Sequence, residues 1–447
     1  MAQTVVTKTR KASGQKDKDF SFSKELIPNR EGGTEFVRKY RADAWESYKN
    51  TRMPNTGDEP WRRTDLRKLD AAGFQIPSNG KISNISAVPG ELLEPLVGDR
   101  QAGQIILAPG QTTVELDPEL KNQGVIFSDL ATAERQHGEV LQRIMGQVVK
   151  IDEGKFAAMA AAFSDSGVLV YVPKDVKVEL PLHSILWGPG VGLAYFSHIL
   201  IWLEEGAELT YVHEAASPSE VDGQTIHAGL VEIHVSPRAN LRFVELQSWG
   251  DHVWNFTHKR ALVDRDANLD WVFAAVGSHL TKDFSDLDLI GEGAFGRMSG
   301  FYFTDGTQHL DHDTQQNHMA PNTTSDLLFK GALKETSRSV WQGMIYVAPG
   351  AQKTDGYQAN RNLVLSNKAR ADSIPGLEIM ADDVRCTHGA TVGKIDPDEL
   401  FYLHSRGIGK SDAEQLIVEG FFDPIMQRIP FPGVQDRLKR AITRKMA

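Results

Sequence analysis

One cysteine, Cys386, is all the thiol this 447-residue chain has. An intramolecular disulfide is excluded, and so is any zinc or iron-sulfur site assembled from several thiolates of this chain alone. Such sparing use of cysteine fits a reducing compartment. Long apolar runs are missing too. The richest, at residues 168–172 and 199–203, are far shorter than the ~20 residues that cross a bilayer, so no membrane partner is expected. Residues 1–19 set Lys8, Arg10, Lys11, Lys16 and Lys18 against Asp17 and Asp19 without the apolar stretch of a signal peptide, and read as a disordered tail on a soluble, cytoplasmic protein. Basic excess is the third absence: 49 Lys and Arg stand against 59 Asp and Glu, a formal charge of −10. That sign is opposite to the footprint of a dedicated nucleic-acid binder, and no nucleic acid is expected as a partner. At about 150 residues per domain the length fits two or three units.

Residues 20–147 read as a helical and mixed N-terminal region. Phe36, Tyr40, Ala44 and Tyr48 share one face of a helix that begins near Thr34 and stops near Pro54. A short helical stretch follows Asp58-Glu59-Pro60-Trp61-Arg62-Arg63-Thr64-Asp65-Leu66, then a loop over 73–90, a strand at 104–108 and a helix at 130–145. From 148 to 395 short β-rich runs take over, and three of them repeat a pattern: Ala207-Glu208-Leu209, Ala239-Asn240-Leu241 and Ala267-Asn268-Leu269, at steps of 32 and 28 residues. Weaker echoes stand at Ala294, Ala351, Ala369 and Cys386. A degenerate period near 30 with two or three strands per unit predicts a mainly β fold built as a β-solenoid, with a β-sandwich as the alternative. Residues 396–447 turn helical, with Asp396 and Ser411 as N-caps and Glu399 and Glu414 three residues on. Ala413, Leu416, Ile417, Gly420 and Phe421 form an apolar stripe that predicts an exposed docking face, removable with residues 411–447 without harm to the β-rich core. Arg437, Lys439, Arg440, Arg444 and Lys445 give the end of the chain a local excess of basic charge.

Several motifs resemble known sites without meeting their requirements. Gly291-Glu292-Gly293-Ala294-Phe295-Gly296 has dinucleotide spacing, but a strand follows where a helix must aim its N-terminus at a pyrophosphate. Gly407-Ile408-Gly409-Lys410-Ser411 resembles the end of a phosphate loop, yet His404 occupies the first glycine position and a helix precedes it, so ATP hydrolysis is not expected of this chain. The same stretch mimics a helix-hairpin-helix element, whose amides bind DNA phosphate. His309, Asp311, His312, Asp313 and His318 have the composition of an iron, zinc or manganese site. Strand alternation, however, puts His309, Asp311 and Asp313 on one side and His312 and His318 on the other. Cys386-Thr387-His388 places a thiol and an imidazole at i and i+2, on one face of a strand. Two ligands are too few for a cluster. Any metal chemistry there needs further ligands from a partner or from exogenous thiols, against the default of a buried inert cysteine beside a hydrogen-bonded histidine.

The run Asp382-Asp383-Val384-Arg385-Cys386-Thr387-His388-Gly389-Ala390-Thr391-Val392-Gly393-Lys394-Ile395-Asp396, leading into Leu400 to Ile408, resembles the C-terminal signature of the SufB/SufD family, scaffold subunits of SUF iron-sulfur cluster assembly. The likeness extends to Asn362-Leu363-Val364-Leu365-Ser366, Pro375-Gly376-Leu377-Glu378-Ile379, the His309 to His318 segment, Pro321 to Ser325, and Glu59 to Leu66. Gly389, where SufB types carry an acid, and the absence of a second cysteine make the resemblance a SufD-type one. It implies a right-handed parallel β-helix core at 148–395 between the N-terminal helical region and a C-terminal helical domain at 396–447. It further implies a non-catalytic scaffold that pairs with a SufB-type subunit and docks the SufC ATPase through its C-terminal helices. His388 and Cys386 are then metal-site residues completing a transient iron or iron-sulfur cluster site at the SufB interface, with no tightly bound cofactor. For His309, Asp311, His312 and His318 it implies no role, and it leaves open a homodimer of the isolated chain and the passage of iron, sulfide or a flavin. A β-helix carbohydrate-active enzyme, with carboxylates lining a groove, is the alternative from another class, and a helix-hairpin-helix DNA binder a third.

Overall fold

The computed structural model describes residues 19–77, 86–97, 101–188, 190–219, 222–429 and 431–446. Of the tail expected over 1–19, only Asp19 falls among them. Beyond Ser166 the β-branched and aromatic runs become strands of two largely parallel sheets. Each strand pairs with the strand two places on. Glu208–Ala216 lies beside Asn240–Ser248, which lies beside Asn268–Ala275, and on the other wall Thr225–Val235, Val253–Val263 and Leu280–Leu289 do the same. The chain therefore winds into a β-solenoid of about eight turns, with a ten-stranded and a nine-stranded wall. Parallel pairing rules out the face-packed antiparallel sandwich.

The Ala-x-Leu recurrence is a corner of the coil. Ala207, Ala239, Ala267 and Ala294 stack there, and Thr323 and Thr354 continue the column, their hydroxyls donating to the Ala320 and Ala351 carbonyls at 3.1 and 2.9 Å. The echoes expected at Ala351 and Ala369 belong to other positions, because threonine has replaced alanine in the column. Immediately before each column residue the chain turns through the left-handed region, at Gly206 (φ 70°), Arg238 (60°), Asp266 (55°), Gly293 (73°), Asn322 (59°) and Lys353 (59°). Gly293 is thus one corner in a series. A Cβ on Gly291 would lie 1.9 Å from the Arg265 nitrogen of the preceding coil, and one on Gly296 2.5 Å from Leu287. Close stacking of coils accounts for all three glycines of the dinucleotide-like motif.

The N-terminal region is not a separate unit. Its strand Gly103–Ala108 joins the ten-stranded wall, Gln111–Leu116 pairs antiparallel to it, and Ile126–Asp129 caps the nine-stranded wall antiparallel to Ser166–Val172. Thr34 caps the helix Glu35–Asn50, accepting from the Val37 amide. The expected helix at 130–145 is split at His137 into Leu130–Gln136 and Gly138–Ile144. Lys155–Phe163, which falls inside the stretch expected to be β-rich, is a helix: its run of alanines packs flat against Glu35–Asn50 and the outer nine-stranded wall. The Glu232 carboxylate ties this region down. It accepts from the Gly146, Val148 and Val149 amides at 2.7, 2.8 and 3.1 Å and from His198 Nε2 at 2.8 Å.

At the other end Asp396 caps Pro397–Ser405, as its spacing predicts, but Gly409 rather than Ser411 precedes Lys410–Met426. The apolar stripe is divided. Ala413 is buried, and Val418, Phe422 and Ile425, with Val434, Leu438 and Ile442 of Pro432–Met446, form one core with Val212, Val244, Val272, Phe301 and Phe303 on the outer ten-stranded wall. Leu416 and Gly420 of the stripe, with Phe401 and Tyr402 of the preceding helix, stay exposed, and Ile417 and Phe421 are half-buried. Part of the terminal basic charge is likewise spent inward, Arg437 on Glu214 at 2.7 Å and Lys445 on Asp305, while Arg440 faces Glu91 at the surface at 3.6 Å.

Outside the nine-stranded wall one guanidinium serves three carboxylates: Arg260 lies 2.5 Å from Glu153, 2.6 Å from Asp286 and 3.6 Å from Asp288. Burial pushes the Asp286 carboxyl up from 3.8 to about 6. A carboxyl raised in the folded state stabilises it fully below the unfolded value, and that contribution is lost as pH rises toward about 6. The expected loss between pH 4 and 7 is up to about 3 kcal/mol. Asp286→Asn should flatten the wild-type decline by that amount in urea titrations at stepped pH; parallel profiles for the two proteins would refute the assignment.

Candidate functional site

The last turn of the solenoid consists of Arg370–Ile379 on one wall and Val384–Gly393 on the other, each pairing along only one edge. In register, Cys386 continues the inward column Leu209, Leu241, Leu269, Gly296, Ser325 and Gly356. His388 continues the next, Tyr211, Phe243, Trp271, Met298, Leu327 and Gln358. Residues in these columns belong to the core wherever another coil covers them. Here the coil is the last, so His388 is exposed and Cys386 half-buried. The pair shares a face, as alternation along the strand requires.

Their environments differ. Cys386 packs against a small apolar cluster of Ile345, Val347, Ala348 and Ala351. Gly356 beside it is needed open: a Cβ there would lie 3.3 Å from the Cys386 Sγ and 3.4 Å from His318 Nε2. Burial pushes the Cys386 thiol up, and Asp355 adds to the effect, so the sulfur stays protonated and weakly nucleophilic near neutral pH. Of the pair, the His388 imidazole is the side chain more open to solvent.

The other histidine cluster is taken apart by strand parity. His309, Asp311 and Asp313 point outward beneath the Glu59 to Leu66 segment. The Thr64 hydroxyl donates to Asp311, which obliges His309 Nε2, at 3.0 Å, to donate to Thr64 Oγ1. Lys282 lies 3.0 Å from Asp311 and 2.8 Å from Asp313, and Gln342 donates to Asp313 at 2.7 Å. Two segments noted separately in the sequence thus meet as a clamp for the N-terminal region. His312 and His318 point inward, and burial holds His309 and His318 near a pKa of about 4. Among the described residues no three His, Cys, Asp or Glu side chains converge on a point that could hold a metal ion. Cys386 and His388 are the pair that the chain presents at an open surface. Sequence reading missed the approach of His318 to Cys386 across Gly356, because nothing in the 67 residues between them signals it.

Sequence profiles carry the identification. The SUF system iron-sulfur cluster assembly SufBD core domain matches residues 187–421, and the SufBD protein N-terminal region matches 18–183. The chain belongs to the SufBD family. The iron-sulfur cluster assembly protein SufD of Bacillus subtilis is 30% identical over 92% of this chain and 96% of its own length. An iron-sulfur cluster assembly SufBD family protein of Staphylococcus saprophyticus is 30% identical over 90% of this chain and 88% of its own. As a SufBD protein the chain has a role in iron-sulfur cluster assembly, and SufBD proteins are assembly subunits. Both the SufBD core profile and the clamp segments fall on the solenoid and its wrapping described above. No helix among the described residues is long and apolar enough to cross a membrane.

Proposed function

We propose that this chain is the SufD-type subunit of a SUF complex. Its open coil stacks on the β-helix of a SufB-type subunit, and His388, seconded by Cys386, lends ligands to iron or a nascent cluster held between them. The SufC-type ABC ATPase docks on the exposed Phe401, Tyr402 and Leu416 surface, and the chain itself remains a non-catalytic scaffold with no resident cofactor. One observation carries the reading: the two ends of the solenoid are unlike. The N-terminal end is closed by antiparallel strands, of which Gln111–Leu116 presents a polar, exposed edge, a common guard against further pairing. At the C-terminal end the inward-facing Leu377, Cys386, His388 and Val392 are left uncovered. Two unpaired parallel strands with apolar inward residues suit addition of another coil of the same pitch.

Leu377→Asp and Val392→Asp place charge in that face without touching the rest of the core. With affinity-tagged chain co-expressed with SufB-type and SufC-type subunits, both variants should lose the SufB-type subunit and keep an unchanged melting profile. Recovery of a full complex from either would move the interface elsewhere, and a wild-type chain that forms only homodimers in the presence of the SufB-type subunit would overturn the pairing itself.

A further inference from the structure

The interior of the solenoid near its open end is polar, and its hydrogen bonds do not close within the protein. Lys259, buried, lies 2.7 Å from Glu245 and 3.1 Å from Asp283. Along the nine-stranded wall the inward column runs Asp283, His312, Trp341, Ser373, and on the facing wall Gln358 stands beside His388. Trp341 and Gln358 meet over Gly343, where a Cβ would lie 2.2 Å from the indole ring and 2.4 Å from Gln358 Oε1.

The donors and acceptors can be followed one by one. Gln358 Nε2 donates to the Gly376 carbonyl at 2.8 Å, which fixes the amide and leaves Oε1 as the acceptor. Gln316 Nε2 donates to Ser325 Oγ at 2.6 Å and to the Tyr357 carbonyl at 3.2 Å, which fixes that amide the same way. The Ser325 proton is not free to serve Gln316 Oε1. The Thr323 hydroxyl donates to the Ala320 carbonyl, so His318 Nδ1 donates to Thr323 and its Nε2, 2.8 Å from Ser325 Oγ, must accept from Ser325. Five atoms of these side chains are without a protein hydrogen-bond partner among the described residues: Gln316 Oε1, Gln358 Oε1, Trp341 Nε1 and both ring nitrogens of His312, whose Nδ1 lies 3.6 Å from Asp283. All four side chains are at most 1% exposed. Two carbonyl acceptors, an indole donor and an imidazole that do not bond one another can all be paired by a small molecule that both donates and accepts. A separate cavity of about 20 Å³ on the Lys259 side of Asp283, lined by His213, His227, Gln247 and Lys259 and by none of these four side chains, is large enough for one water, since about 10–15 Å³ suffices.

We infer that ordered water occupies this interior in two places, beside the buried Lys259 cluster and against Trp341, Gln316 and Gln358 in the coils beneath His388, with the His312 ring packed among Phe273, Tyr302 and Phe329 between them. Buried polar groups are almost always paired, and here bound water supplies the pairing that the side chains cannot.

The test is magnetic relaxation on the full chain with water as the probe. The indole N–H resonance that disappears in Trp341→Phe should show cross-relaxation to a long-lived water in the wild-type protein. Oxygen-17 relaxation dispersion should lose at least one long-lived water in the Gln316→Leu, Gln358→Leu double variant. An indole without a water cross-peak, or a folded double variant with undiminished dispersion, would overturn the inference. The indole measurement needs no variant beyond its assignment and stands even if the double variant does not fold.

Discussion

His388→Ala is expected to leave the chain folded and its complex assembled while abolishing cluster formation. The fold is indifferent to this side chain because it is exposed on the last coil and, among the described residues, makes no ring or ion-pair contact that supports a neighbouring element. A substitution of that kind usually changes stability by no more than about 0.5 kcal/mol. Its effect on a shared site is different in kind. On the proposed reading the chain lends two ligands, one of them a thiol whose protonated form is favoured by burial, so the site has nothing to spare and loss of the exposed imidazole removes the more accessible one. Cys386→Ala should be milder, with a small stability cost from the apolar cluster around Ile345 and a partial loss of cluster. Anaerobic reconstitution of the three-subunit complex with iron and a sulfur donor, followed by cluster absorption and transfer to an apo-protein, measures both. Wild-type cluster yield from the His388 variant at equal complex yield would make the pair structural.

Deletion of residues 411–446 should cost the protein its fold, the opposite of what the amphipathic stripe alone suggests. Val418, Phe422, Ile425, Met426, Ile429, Phe431, Val434, Leu438 and Ile442 would leave the core together, uncovering Val212, Val244, Val272, Phe301 and Phe303 on the ten-stranded wall. Removing even one large buried side chain costs about 2–5 kcal/mol, and whole domains are stable by only about 5–15 kcal/mol. Lys330 and Lys334, which donate to the Phe421 and Lys445 carbonyls at 2.7 and 2.6 Å, would lose their acceptors as well. The truncated chain should aggregate or melt without cooperativity in circular dichroism. A monomeric truncation with an unchanged transition would return the helices to the status of a detachable module. The docking role of this end is better probed on its exposed residues, Phe401, Tyr402 and Leu416.

The winding of the chain was legible because a solenoid repeats its physics. One alanine per coil at a corner, a residue able to turn left-handed before it and an aliphatic residue two places on recur in any sequence that stacks this way. The echo failed where threonine took the corner position, since a hydroxyl that bonds its own turn serves there as well as a methyl. Cys386 and His388 were equally legible as a pair, because strand alternation is local. Parity alone also separated His309, Asp311 and Asp313 from His312 and His318, and the structure agrees.

What lay beyond the sequence is what distant segments do to one another. Lys155–Phe163 is a helix because its small, wholly buried face fits between Glu35–Asn50 and the wall, a fit that no local pattern states. Thr64 and Asp311 meet over 247 residues of separation, so a cluster with metal-like composition became a clamp. The stripe on Lys410–Met426 has the same periodicity whether it awaits a partner or covers Phe301 and Phe303. Which of these happens is set by the free energy of burying a particular wall, a property of the folded surface rather than of the helix. The sequence by itself determined the coil, its corners and the shared inward face of Cys386 and His388. Only the tertiary structure decided that these two side chains stand on the last, uncovered turn, because exposure depends on whether another coil follows, and stacking is a non-local event.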